Sequence, residues 1–274
     1  MTRLAEYAEA RELTVNLTLR ELRSRYKRSA LGWTWSLLNP LSSVIIFSIV
    51  FSFFLQINPP VGHPSGLHNF SLFLLCGLLP FNYLSNTMNG SLDSLLANSN
   101  LIRKVYFPRE VLVLSNVASL LITMLVELGV LCAILLLLGS MVLPWIPMLL
   151  VLVAIETVFV LGVGLMLSVF NVYFRDVKHF VSLAMKILFY TVPVVYPLSL
   201  VPKHKEVAGM SIPVRQIYEL NPLVAMVGCY RAVLYDLRFP SFGDFAYFLV
   251  WAIALFAFGW WVFSRLEPRL AEEV

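Results

Sequence analysis

Residues 20–40, RELRSRYKRSALGWTWSLLNP, run from a cationic stretch through a tryptophan pair into an apolar segment. Val15, Leu19, Leu22 and Tyr26 recur at steps of four, three and four, so a helix here carries them on one face. Arg20, Arg23, Lys27 and Arg28 fall toward its other sides. Such a helix lies along a membrane surface, with its apolar side in lipid and its cations among anionic head groups. Trp33 and Trp35 follow where indole rings favour the headgroup boundary, and Leu38 to Ile57 has the length of a bilayer crossing. The stretch reads as a membrane entry.

The composition agrees. Of 274 residues, 59% are hydrophobic and 13% charged, and the mean hydropathy is +0.81, which marks an integral membrane protein. The net charge of +4 does not imply a nucleic-acid partner, because 7 of the 20 Lys and Arg lie in the first 28 residues, beside a span, as topogenic charge would. Cys76, Cys132 and Cys229 have no metal or disulfide spacing. A cleaved signal peptide is not expected, since more than thirty residues with several acids precede the first apolar run.

Apolar runs predict spans at about 38–57, 70–88, 111–138, 145–170, 180–201 and 245–263. The fold class expected is all-α: a polytopic protein with six transmembrane helices, an N-terminal amphipathic interface helix and an outer re-entrant helical pair. It forms one domain over 1–274, comprising the interface helix (1–36), a membrane bundle (37–264) and a short tail (265–274). The connections 58–69 and 139–144 carry no Lys, Arg, Asp or Glu, whereas the alternate ones carry Arg103, Lys104, Arg109, Arg175 and Lys178. With 14 basic residues on the side of the termini and 5 on the other, both termini are cytoplasmic.

Two connections are more than turns. In the outer one, about 202–244, Asn221 and Pro222 form an N-cap and first-turn signal, followed by Leu223, Met226, Tyr230 and Val233 at helical steps. A second helical piece from Val207 to Leu220 precedes it, giving either a re-entrant or surface-lying pair or an ordinary solvated loop. The inner connection 91–108 has Asn98 or Ser99 to cap a short helix carrying Leu101, Ile102, Val105, Tyr106 and Phe107 beside Arg103 and Lys104. Exposed apolar residues mixed with cations fit a docking knob for a soluble partner, or equally a membrane-surface segment.

Within the spans, Glu127, Glu156 and Lys186 are costly charges that face protein or water. The glutamates could relay protons or be hydrogen-bonded between helices. Asn82, Asn86 and Asn89 make one amide face, which could line a polar path or bond a neighbouring helix. Pro193 and Pro197, near Tyr190 and Tyr196, bend the fifth span. There is no GxxxxGK[ST] loop, HExxH, GxSxG or Cys/His cluster, so energy comes from elsewhere.

Four segments then carry a resemblance: RSRYKRSALGWTWSLLNP at 23–40, NSNLIRKVYFPRE at 98–110, NVYFRDVKHF at 171–180 followed by VPVVYP at 192–197, and NPLVAMVGCYRAVLY at 221–235. In this order they resemble the permease subunits of ABC-2 type exporters of cell-surface polysaccharides (O-antigen, capsule, teichoic acid, galactan), over nearly the whole chain. The resemblance implies a homodimer in the bacterial cytoplasmic (inner) membrane, in contact with membrane lipids. Two copies of a separate ATPase would bind ATP and Mg, with no cofactor on this chain, no enzymatic activity of its own and a lipid-linked glycan as substrate. It implies that Asn98, Ser99, Asn100, Leu101, Ile102, Arg103, Lys104, Val105, Tyr106 and Phe107 couple to the ATPase. Arg23, Arg25, Tyr26 and Arg28 would meet the substrate's phosphate head group, for which forked guanidinium donors are suited. The first and fifth spans would line the conduit, with Asn82, Asn86, Tyr190 and Tyr196 as lining candidates. Asn221, Pro222 and Arg231 would form the outer gate. Rival readings are a drug or small-lipid exporter of the same superfamily, and a membrane-embedded lipid-modifying enzyme using Glu127 or Glu156.

Overall fold

The computed structural model describes residues 3–25, 34–54, 60–104, 107–207, 210–267 and 270. Apart from one small hairpin, the described residues form helices joined by turns and short loops. Helix α1 (Arg3–Arg25) precedes α2 (Trp35–Phe47), which continues through wider π turns to Phe54. Then come α3 (Phe70–Ser94), the short α4 (Ser99–Lys104), α5 (Glu110–Leu137), α6 (Ile146–Tyr173) and α7 (Val177–Thr191). After the hairpin β1 (Lys205–Val207) and β2 (Met210–Ile212) follow α8 (Val214–Glu219), α9 (Pro222–Arg231) and α10 (Phe242–Leu266).

Three of the described helical segments are long and apolar enough to cross a membrane: 110–137, 143–173 and 242–266. Helix α3 has 25 residues but carries a run of Asn, Ser and Thr, and it occupies the centre, packed by α2, α5, α6, α7 and α9. A polar helix inside an apolar ring is stable only if its groups find protein partners. Ser71 Oγ lies 2.7 Å from Ser48 Oγ, Asn171 donates to the Leu92 carbonyl at 2.8 Å, and Asn116 donates to Ser91 Oγ at 3.3 Å. Helices α6 and α10 cross where Gly162 meets Gly259; a Cβ on either glycine would strike the backbone of the opposing helix, so the crossing needs both.

Two expectations are corrected. The fifth span does not run from 180 to 201 as one helix: α7 ends at Thr191, and Val192, just before Pro193, is extended at φ −80°, ψ 137°. Proline disfavours the helical conformation in its predecessor and offers no donor of its own, and with Pro193 and Pro197 four residues apart the remainder forms turns. The piece 207–220 is not helical throughout. It pairs Lys205 with Ile212 and Val207 with Met210 in the antiparallel hairpin, and α8 begins only after Pro213. Helix α1 packs on α5 and buries Leu17, Thr18 and Leu22, while Val15 and Leu19 remain exposed. At its end Arg25 donates to Ser119 on α5 at 3.4 Å.

Candidate functional site

A groove of about 380 Å³ lies between α3 and α7. Helix α3 supplies Phe81, Asn82, Ser85 and Asn89; α7 supplies Ser182, Met185, Lys186, Phe189 and Tyr190. The polar residues of α3 share a face because they recur at steps of three and four. Asn89 donates to the Ser85 carbonyl at 2.7 Å, and the Phe81 and Phe189 rings meet edge to face at 5.5 Å. None of α7 is fully buried, and Phe180, Leu183, Ile187 and Tyr190 are exposed along it. The sequence candidates Asn82 and Tyr190 thus stand together, with Ser85, Asn89 and Lys186 as additional groups. Asn86 is exposed on the same helix but is not in the lining. Tyr196 belongs elsewhere: its hydroxyl turns back to donate to the carbonyl of Tyr190 at 3.0 Å or Thr191 at 3.3 Å, closing the turn after α7.

At the end of the bundle where α9 begins, Asn221 caps that helix by accepting from Leu223 N at 3.0 Å, and Pro222 fills its first turn. Arg231 is not a surface lever. It is 9% exposed and sits over the Phe73 ring at 3.7 Å. Its guanidinium donates to the carbonyls of Pro193 at 2.6 Å, Val194, Tyr196 at 3.4 Å and Phe73 at 3.4 Å. The carbonyls released where the prolines break the fifth segment are therefore satisfied by one forked side chain. Next to it, Tyr230 donates to Glu156 on α6 at 2.6 Å, and both are fully buried. That carboxyl is an interhelical partner sealed from any substrate. Glu127 on α5 is only half-buried. Tyr235 completes the set, its hydroxyl 2.9 Å from the Pro60 carbonyl and 3.1 Å from that of Leu67.

At the opposite end, a recess of about 500 Å³ is lined by Asp93, Leu96, Ser99 and Asn100 with Arg103, Asn171, Arg175 and Lys178. Lys178 pairs with Asp93 at 2.6 Å. Asn98 donates to the Ser94 carbonyl at 2.8 Å and accepts from Arg20 at 2.6 Å, joining α1 to the segment that leads into α4. The expected apolar knob is corrected: Ile102 is buried, and Leu101 and Phe107 are half-buried against the core. A six-residue helix lying on the bundle turns its apolar side inward, so α4 presents Asn100, Arg103 and Lys104 outward. Val105 and Tyr106 lie outside the described residues, as do Trp33, Tyr26 and Arg28. Arg23 and Arg25 end α1, exposed and near one another in sequence.

Sequence reading missed Ser85 and Ser182 in the groove, the Tyr230–Glu156 bond and the Arg20–Asn98 link. Only Ser85 carried a local signal, its position between Asn82 and Asn89.

Comparison with known proteins gives these sites a context. The chain is 30% identical over 265 residues to the O-antigen export system permease protein RfbA of Klebsiella pneumoniae, covering 95% of this chain and 94% of the relative. It is 30% identical to the protein of the same name from Myxococcus xanthus, covering 86% and 85%. It is 26% identical to the polysialic acid transport protein KpsM of Escherichia coli, covering 80% and 84%. The ABC-2 type transporter family profile matches residues 12–235, most of the chain and all the sites above. The chain is a multi-pass membrane protein and belongs to the ABC-2 type transporter family.

Proposed function

We propose that this chain is the membrane-spanning permease subunit of an ATP-driven exporter of lipid-linked polysaccharide, of the O-antigen, capsule, teichoic acid or galactan type. The observation that carries this reading is the groove between α3 and α7, where amide, hydroxyl, ammonium and phenol groups line one open face of an otherwise lipid-soluble bundle. Sugars need such hydroxyl-binding groups, with aromatic faces along which they can move. Six crossings place both termini on the cytoplasmic side of the bacterial cytoplasmic membrane: α2 with its continuation, α3, α5, α6, α7 with the turns after it, and α10. Two copies pair with the uncovered faces of α7 turned toward each other, which supports a shared path.

The chain hydrolyses nothing itself. Two ATPase subunits, holding ATP and Mg, bind below at α4, where Arg103 and Lys104 suit an acidic surface. Arg23, Arg25, Tyr26 and Arg28 receive the phosphate head group; Asn221, Pro222 and Arg231 support the outer closure. Closure of the ATPase pair pushes α4, and the links Arg20–Asn98 and Asp93–Lys178 pass that motion to α1 and α7.

Depletion of the chain is expected to make polyprenyl-linked glycan accumulate in the cytoplasm, measured by lipid extraction and mass spectrometry. Unchanged glycan with altered drug sensitivity would favour the drug exporter instead. Arg103→Glu with Lys104→Glu should reduce ATPase recovery in affinity purification by at least about tenfold, the scale of a reversed charge contact, with membrane insertion unchanged.

A further inference from the structure

Lys186 is an exposed cation on α7 that borders the groove, and no anion among the described residues pairs with it. It lies nine residues into α7, about 13 Å along the helix axis, so if α7 enters the bilayer at its first residue the ammonium stands well inside a hydrocarbon core of about 30 Å. None of the ion pairs among the described residues includes it, and the groove it borders has no carboxylate in its lining. Its neighbours there are amides and hydroxyls, Asn82, Ser85, Asn89 and Ser182, with Tyr190 one turn further along α7. An ammonium at this depth is tolerated only where it meets water or a counter-charge. Neutral dipoles soften that cost but leave the charge uncompensated.

Resting on the export reading above, we propose that Lys186 and the amide row of α3 form a way-station in the conduit for an anionic oxygen group, phosphate or carboxylate, of the passing glycan chain or its carrier. The ammonium supplies the counter-charge, Asn82 and Asn89 supply amide donors, and the hydroxyls of Ser85 and Ser182 complete the contact. Lysine suits a transient contact better than arginine, because a mobile point charge does not enforce a two-pronged geometry. A path must bind its cargo strongly enough to admit it and weakly enough to release it. Buried Arg231, held by four carbonyls, shows the opposite design in the same molecule.

The test uses the chain with its ATPase in proteoliposomes and three probes: a neutral oligosaccharide on a polyprenyl pyrophosphate, the same oligosaccharide on an uncharged polyprenyl ether, and a uronic-acid oligosaccharide on that ether. Lys186→Met should raise the half-saturating concentration of a charged probe on the order of tenfold, the scale of one charge-assisted contact. Lys186→Arg should stay within about twofold of wild type because the charge is kept, and the uncharged probe should be unaffected by either change. An effect confined to the pyrophosphate probe assigns the contact to the carrier; one confined to the uronic-acid probe assigns it to the sugar. Wild-type values for Lys186→Met on both charged probes, or an equal loss on the uncharged one, would overturn the proposal. If the wild-type complex moves none of the three, the export reading itself falls and this inference with it. Should Lys186→Met not accumulate in membranes, Lys186→Gln keeps a polar side chain on the groove and carries the same comparison.

Discussion

Arg231 is read differently from sequence and from structure, and the reason is distance along the chain. As the last residue of α9 it looks like a helix-end cation in an outer loop. Its partners Pro193, Val194 and Tyr196 lie at least 35 positions earlier and Phe73 lies 158 earlier, so no local pattern reveals them. Its removal leaves several buried carbonyls without donors, each costing about 1–3 kcal/mol. Arg231→Met is therefore expected to lower stability by several times that of an ordinary surface change, measured as the thermal unfolding midpoint in detergent. Arg231→Lys should recover only part, because one ammonium cannot span the same set of acceptors. The neighbouring pair behaves in a graded way. Glu156→Gln keeps an acceptor for the Tyr230 hydroxyl and should cost little, whereas Tyr230→Phe strands a buried carboxyl and should cost about 1–3 kcal/mol in the same assay.

Among elements, helix positions were legible and helix ends were less so. The predicted third, fourth and sixth spans match α5, α6 and α10 within a few residues because long apolar runs have one stable solution in lipid. The fifth failed at its prolines, and the outer pair failed where Pro213 cut the helix and a hairpin formed before it. Short pieces lack the hydrogen bonds to fix their own conformation, so tertiary context decides it. The α6–α10 crossing gives a direct test. Gly259→Leu should force the helices apart and lower the unfolding midpoint, whereas Gly243→Ala, at a position with open space around it, should be nearly neutral. The Asp93–Lys178 link is half-exposed, with side chains 47% and 51% accessible. A double-mutant cycle with Asp93→Asn and Lys178→Met should give a coupling energy of about 1 kcal/mol or less, falling as salt rises.

For the molecule as a whole, the proposed orientation is checked by labelling intact cells with a membrane-impermeant thiol reagent, in a chain whose half-buried Cys132 is replaced by alanine. His204→Cys, exposed in the segment after α7, should react from outside, and Arg103→Cys should react only after the membrane is opened. The opposite pattern would invert the molecule and remove the export reading. The sequence by itself determined that the chain lives in a bilayer, where its long apolar helices lie and which family it resembles. Hydropathy and loop charge are sums over neighbouring residues, and lipid leaves little choice about how to satisfy the backbone. Only the tertiary structure decided that Asn82 and Asn89 of α3 share a groove with Lys186, that Arg231 closes the break after α7, and that α4 turns its apolar side inward. Each depends on groups far apart in the chain finding one another as charges and hydrogen-bonding groups leave water, and no window of sequence contains both partners.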